Sequence, residues 1–281
     1  MLFTLVIILC LPVIIGISLG FRSADILQNN RLIDLLFSSA WSPRAGKFGF
    51  LPFILSSAYV TVIAFVLSAP VCLLAAIYIT QFSKPRMMKI MYPVADVMAG
   101  IPSVIYGMWG IIVIIPFVRE VLAPLFNVHT TGYSILSGGI VLAVMCIPYM
   151  LNMLIESFKT VPLGLRESAL SLGATHWEMV KHVVVRKSFP GILSAFGLGI
   201  TKALGETMAV MMVVGNVVQF SLNPFDPAYP LPALIANNFG EMMSIPMYDS
   251  ALMFAALILL IVILLINLFF RYFIYKSKKV Q

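Results

Sequence analysis

Two ionisable side chains, Lys202 and Glu206, stand in a stretch that is otherwise apolar, within a run from about Ile192 to Val218. Four residues apart on one continuous helix, they would share a face. Lysine offers three N–H donors and a positive charge, while the carboxylate asks for a donor. The lysine can meet an oxyanion, and the carboxylate can meet a proton that such an anion carries. If the run enters a bilayer near Pro190, a rise of about 1.5 Å per residue puts Lys202 roughly 18 Å deep and Glu206 roughly 24 Å deep. Both depths lie inside a hydrocarbon core about 30 Å thick. Inserting one such charge costs about 2.5–3.5 kcal/mol, so an intramembrane charge marks a pathway by default. The alternative is a packing lock in which the two merely neutralise each other. Against it, Lys before Glu is the weaker order for an i,i+4 pair, and an apolar pair would usually pack as well.

The rest of the chain supplies the membrane. Hydrophobic residues make up 61% of the 281 and charged residues 10%, and the mean hydropathy is +1.03. That much apolar surface does not fit inside a water-soluble domain of this length. The apolar runs are long and continuous, which predicts helices and excludes the short alternating segments of a β-barrel. The fold class expected is all-α: a polytopic membrane protein in one domain over residues 1–281. The formal net charge of +7 reads as positive-inside flanking charge, with no nucleic-acid partner implied. Cys10, Cys72 and Cys146 all fall in apolar runs and read as small hydrophobes, with no disulfide frame.

Six spans are expected. Leu2 to Leu19 is the first, read as a retained helix because no Lys or Arg precedes it and no small-x-small site follows. Phe21 to Phe48 is a polar loop with Arg22, Asp25, Arg31, Asp34, Arg44 and Lys47, so residues 1–47 precede a core of 48–275. Leu51 to Ile79 is the second span. The third, Ile90 to Phe117, is interrupted at Ala99-Gly100-Ile101-Pro102-Ser103, where proline removes a donor and restricts its predecessor. A half-helix starting at Pro102 and Ser103 would turn free N–H groups toward an anion; an ordinary proline kink is the other reading. Ile135–Ile155, Ile192–Val218 and Ala251–Phe270 complete the set. Of the 18 Lys and Arg, twelve then share a side with both termini, five lie opposite and one is Lys202. That places the termini in the cytoplasm. Ser221 to Ser250, free of Lys and Arg, falls outside, and Leu231 to Met243 in it has the spacing of a short re-entrant or surface helix.

The longest cytoplasmic segment is the loop 160–189. Pro162 suits a first helical turn, Gly173 a left-handed end, and Thr175-His176-Trp177-Glu178 a capping box opening a second helix through Arg186. Such a hairpin fits a groove on a partner or lies folded on the membrane. Its motif Glu167-Ser168-Ala169-Leu170-Ser171-Leu172-Gly173 resembles the EAA loop of ABC-importer permeases. Ser168 stands where that pattern has Ala, and Val183-Val184-Val185-Arg186 lacks its closing proline. Ala99 to Gly107, Ala203 to Val210 and Ile235 to Gly240 are similar to the PstC-type subunit of phosphate importers.

The resemblance implies a type I ABC-importer (MetI-like) permease fold in a bacterial inner membrane, with six spans and no catalysis of its own. It implies a PstA-type second permease, a dimer of PstB-type ATPases and a PstS-type external binding protein. Within it, Glu167, Ser168, Ala169 and Gly173 would dock the ATPase. Lys202, where the family commonly has arginine, would work with Glu206 on phosphate, and Pro102 and Ser103 would support the pathway. Hydrogen phosphate carries a proton that can meet a carboxylate, while sulfate has none. Permeases for molybdate, sulfate or an amino acid are the same-class alternative. No cofactor or metal is expected: Gly46-Lys47 lacks a P-loop frame, and His176 and His182 lack companion ligands. An intramembrane enzyme would need catalytic groups at membrane depth, yet His129, His176 and His182 all lie outside the spans. A signalling scaffold, the other rival class, would differ from a transporter in ATPase stimulation by loaded binding protein.

Overall fold

Long apolar runs without interior polar breaks fold as helices because only a helix satisfies every backbone group within the segment. The computed structural model describes residues 2–240, 245 and 247–280, and helices dominate it. In chain order these are α1 (Leu2–Arg22), α2 (Ala24–Asn29), α3 (Leu32–Phe37) and, after a small hairpin of β1 (Trp41–Ser42) and β2 (Lys47–Phe48), α4 (Leu51–Phe82). Then come α5 (Pro85–Gly100), α6 (Ser103–Leu125), α7 (Ile135–Lys159), α8 (Leu163–Ser171) and α9 (His176–Lys187). The chain ends with α10 (Phe189–Gly205), α11 (Met208–Val213), α12 (Leu231–Asn238) and α13 (Tyr248–Val280).

The centre of the bundle is α4, α7 and α10 side by side, with α13 against α10, α5 against α7 and α1 on α13. Val60, Ala64, Cys72, Leu142, Cys146, Met150 and Leu154 are buried where they meet. Small residues set the spacing, as they do wherever helices pack without a hydrophobic driving force. A Cβ on Gly107 of α6 would sit 2.6 Å from Met212 Sδ and 3.2 Å from Ala209 Cα, and one on Gly110 would sit 2.7 Å from Val213 and 2.8 Å from Val141. The α6 and α11 backbones therefore run in direct contact.

A second core caps one end. Trp41 stacks edge-on against Phe48, Phe50, Phe53 and Tyr248, and Ile26, Leu35, Leu231, Leu234 and Leu252 close around this aromatic group. Two expectations change here. The segment Phe21 to Phe48 is not a plain polar loop: its charged residues alternate with an apolar side that α2, α3 and the hairpin turn inward. And of the two readings of the Leu231–Met243 segment, re-entrant or surface helix, the surface one gives way: Leu231 to Leu234 are buried, with the Leu231 N–H donating to Ser57 Oγ at 2.8 Å. It stops at Asn238, where Phe239 turns extended (φ −66°, ψ 121°); the expected end at Met243 lies outside the described residues.

The expected fifth span is also shorter. Hydropathy alone carries Ile192 to Val218 as one helix, but α10 ends at Gly205 because Glu206 is extended (φ −76°, ψ 129°). A short α11 follows, and beyond Val214 the chain leaves the helical path with Gly215 at φ 96°. The third span is interrupted as expected: α5 ends at Gly100, Pro102 is extended, and α6 starts at Ser103. Among the described residues, four helices are long and apolar enough to cross a membrane, five if α9 and α10, bent by 66°, count as one span.

Candidate functional site

Lys202 lies in the last turn of α10, and Glu206 is the first residue beyond it. The two are therefore not on one helix face; the helix ends between them. Their side chains still meet, Nζ to Oε2 at 3.6 Å. This break reverses the sequence-level objection to the order of the pair. A lysine in a last turn faces the unpaired carbonyls and negative end of the helix, a favourable place for a cation, and Glu206 adds to that negative side. Glu206 is 7% exposed and Lys202 37%. Glu206 lines a small cavity together with Ser57, Thr61, Leu142 and Pro230, while the Lys202 ammonium lies over the ring of Tyr149 at 5.4 Å. A buried anion thus holds a half-exposed cation.

Sequence reasoning missed what lies beyond Tyr149. On α7, Tyr149, Asn152, Glu156 and Lys159 recur at helical spacing on one face, and α5 answers with Ala99, Asp96 and Tyr92. The Tyr149 hydroxyl donates to the Ala99 carbonyl at 3.0 Å, and Asn152 Nδ2 to Asp96 Oδ1 at 3.1 Å. Tyr92 donates to Glu156, and Lys159 Nζ donates to Tyr92 Oη at 2.5 Å and Glu156 Oε1 at 3.4 Å. This polar seam runs from Lys202 toward the 160–189 end. Its spacing on α7 was visible in the sequence, but its partners on α5 are some fifty to seventy residues away.

Pro102 and Ser103 begin α6, whose Gly107 and Gly110 face α11, the helix that follows Glu206. The Tyr106 hydroxyl donates to the Met98 carbonyl at 2.9 Å and so ties the two halves of the interrupted span.

The four remaining expected residues gather on α8 and its exit, away from the pair. Glu167 and Ser168 are exposed, Ala169 packs inward, and Gly173 has φ 86°. The capping box is formed: the Glu178 N–H donates to Thr175 Oγ1 at 3.3 Å, and Glu178 Oε2 accepts from the Thr175 N–H at 2.8 Å and its hydroxyl at 2.7 Å. Those bonds, the hydroxyl's first, hold the Glu178 carboxyl below the usual carboxylate range. Val180 and Val184 anchor α9 in the core, while Leu163, Leu172 and Trp177 project. At the elbow, Ser188 Oγ donates to the Ser157 carbonyl at 3.1 Å and Ser157 Oγ to the Ser188 carbonyl at 3.3 Å, pinning the bend to the end of α7. Among the described residues no group of three or more His, Cys, Asp or Glu is placed to hold a metal.

The bundle with its projecting helix hairpin is built by a sequence that has relatives among known proteins. Residues 69–279 match the family described as "Binding-protein-dependent transport system inner membrane component". The chain belongs to that family. It is 34% identical over 270 residues to the "Probable ABC transporter permease protein YqgH" of Bacillus subtilis, covering 95% of this chain and 86% of that one. It is 36% identical to the "Phosphate transport system permease protein PstC" of Xylella fastidiosa, covering 86% and 78%. A probable PstC of Methanocaldococcus jannaschii is 31% identical, covering 86% and 81%. Among solved structures, a chain of the MetNI methionine ABC transporter in an inward facing conformation superposes with TM-score 0.58 and 19% identity, covering 82% of this chain and 94% of that one. At that identity the likeness establishes the fold alone. Members of the family are non-catalytic membrane subunits, multi-pass in the inner membrane.

Proposed function

We propose that the chain is the PstC-type permease of a phosphate importer and lines half of the translocation pathway. The observation that carries this reading is the Lys202–Glu206 pair at the end of α10, in a chain whose relatives include several named phosphate permeases. Lys202 supplies positive charge to the anion. Glu206 holds Lys202 while the site is empty, then competes with the bound anion so that it can leave. The proton of hydrogen phosphate suits the carboxylate as sulfate does not. Pro102 and Ser103 shape the facing wall.

In this reading α1 and the broken third and fifth spans complete six crossings, with both termini cytoplasmic. A PstA-type permease supplies the other half of the pathway, a PstS-type protein delivers phosphate from outside, and a PstB-type ATPase dimer hydrolyses ATP. Glu167, Ser168, Ala169 and Gly173 form the ATPase contact, and the elbow at Ser188 passes its movement to α10 and Lys202.

The test is uptake of radiolabelled phosphate in cells lacking other phosphate importers, with membrane levels of the complex followed in parallel. Lys202→Met is expected to lower uptake at least about tenfold, since a charge-assisted contact is lost, while the complex still assembles. Lys202→Arg retains transport. Parental uptake in Lys202→Met would reduce the pair to packing.

A further inference from the structure

Where α9 leaves the bundle at 66° to α10, the far end of α13 comes up beside the elbow and leaves an open groove of about 670 Å³ between them. Its apolar wall is made by Phe189, Leu193 and Phe273, and Phe189 and Phe273 are 47% and 41% exposed. Lys181 and Arg186 of α9 and Lys276 of α13 stand around it, and among the described residues no Asp or Glu lines it. In the sequence Lys278 and Lys279 follow directly.

We propose that this groove holds an anionic phospholipid, with the headgroup phosphate between Lys181 and Lys276 and an acyl chain along Phe189, Leu193 and Phe273. Charge complementarity and the place of the groove decide the occupant. Basic side chains at the ends of membrane helices lie at headgroup depth, and basic pockets there attract anionic lipids. A free phosphate ion has no use for a wall of two phenylalanines and a leucine, whereas one lipid molecule uses both parts of the site. The site bridges two elements far apart in sequence, the elbow that follows α9 and the end of α13, so a bound lipid braces the bend. The inference rests on the membrane placement of the chain and is independent of which anion is transported.

The test is native mass spectrometry of the purified, assembled transporter exchanged into mixtures of phosphatidylglycerol and phosphatidylcholine. The parent is expected to retain phosphatidylglycerol preferentially. Lys181→Gln with Lys276→Gln lowers that retention about tenfold, as loss of two charge-assisted contacts implies, and leaves phosphatidylcholine unchanged; the corresponding Arg pair restores it. Phe273→Ala keeps both charges, weakens long-chain phosphatidylglycerol and spares a short-chain analogue, giving an independent reading should the Gln pair not assemble. Equal retention in the Gln pair and the parent overturns the proposal. So does displacement of the lipid by inorganic phosphate, or loss of the ATPase subunit from the Gln pair with lipid retention intact. Failure of phosphate uptake in Lys202→Met bears on none of these outcomes.

Discussion

At the scale of single residues, the charge pair announced itself in the sequence because hydrocarbon makes charges expensive. Its geometry did not, because hydropathy continues unbroken through Gly205 and Glu206 while the backbone does not. Removing one partner of a fully buried pair costs about 3–5 kcal/mol because the other charge is left uncompensated; after loss of Lys202 the enclosed Glu206 can take up a proton and become neutral, which is why that loss is expected to affect transport before assembly. Glycines make the opposite kind of contribution, through what they leave out. Gly110→Val would drive new methyl groups into Val213 and Val141, and overpacking of this kind costs about 1–3 kcal/mol. The detergent-solubilised complex is expected to melt at a lower temperature. Gly20→Ala, where nothing lies within 4 Å of the added carbon, should leave the melting point where it is.

Single elements show why parts of the chain were legible and others were not. The hairpin of α8 and α9 was readable because its signals are local: Pro162, Gly173 and the Thr175–Glu178 box each act within four residues. The polar seam between α5 and α7 was not, because Asp96 and Asn152 acquire meaning only when the two helices are laid together. The apolar sides of α2 and α3 were hidden for a similar reason, since Ile26 and Leu35 sit among charged neighbours. Two outcomes are expected of the hairpin. Gly173→Val forces a β-branched residue into positive φ, so substrate-stimulated ATP hydrolysis by the assembled complex should fall while basal assembly persists. The second concerns pH. The folded-state pKa of Glu178 is depressed, so the capping contribution is full above the ordinary carboxylate range and is lost as pH falls through the lowered value. Hydrogen exchange in residues 176–179, corrected for its intrinsic pH dependence, should rise as pH falls below the ordinary carboxylate range. Glu178→Gln should remove that dependence.

For the whole molecule, the first question is which end faces the cytoplasm. Cysteines placed singly at Leu222 and Ser171, both exposed, in a chain lacking Cys10, Cys72 and Cys146, are expected to label from opposite sides: Leu222→Cys from outside and Ser171→Cys from inside. Labelling of both from outside would invert the proposed orientation. The aromatic cap has a consequence for biosynthesis. Trp41, Phe48 and Phe50 close against Tyr248 and Phe254, and Gly16 of α1 lies against Leu260. The packing of residues 16–50 is therefore completed only when α13 arrives, and such distant pairings form late. Until then the emerging chain carries an unsealed apolar rim at that end. A chain cut short before α13 would keep that rim open, and the proteases that clear unfinished membrane proteins could tell it from a finished one.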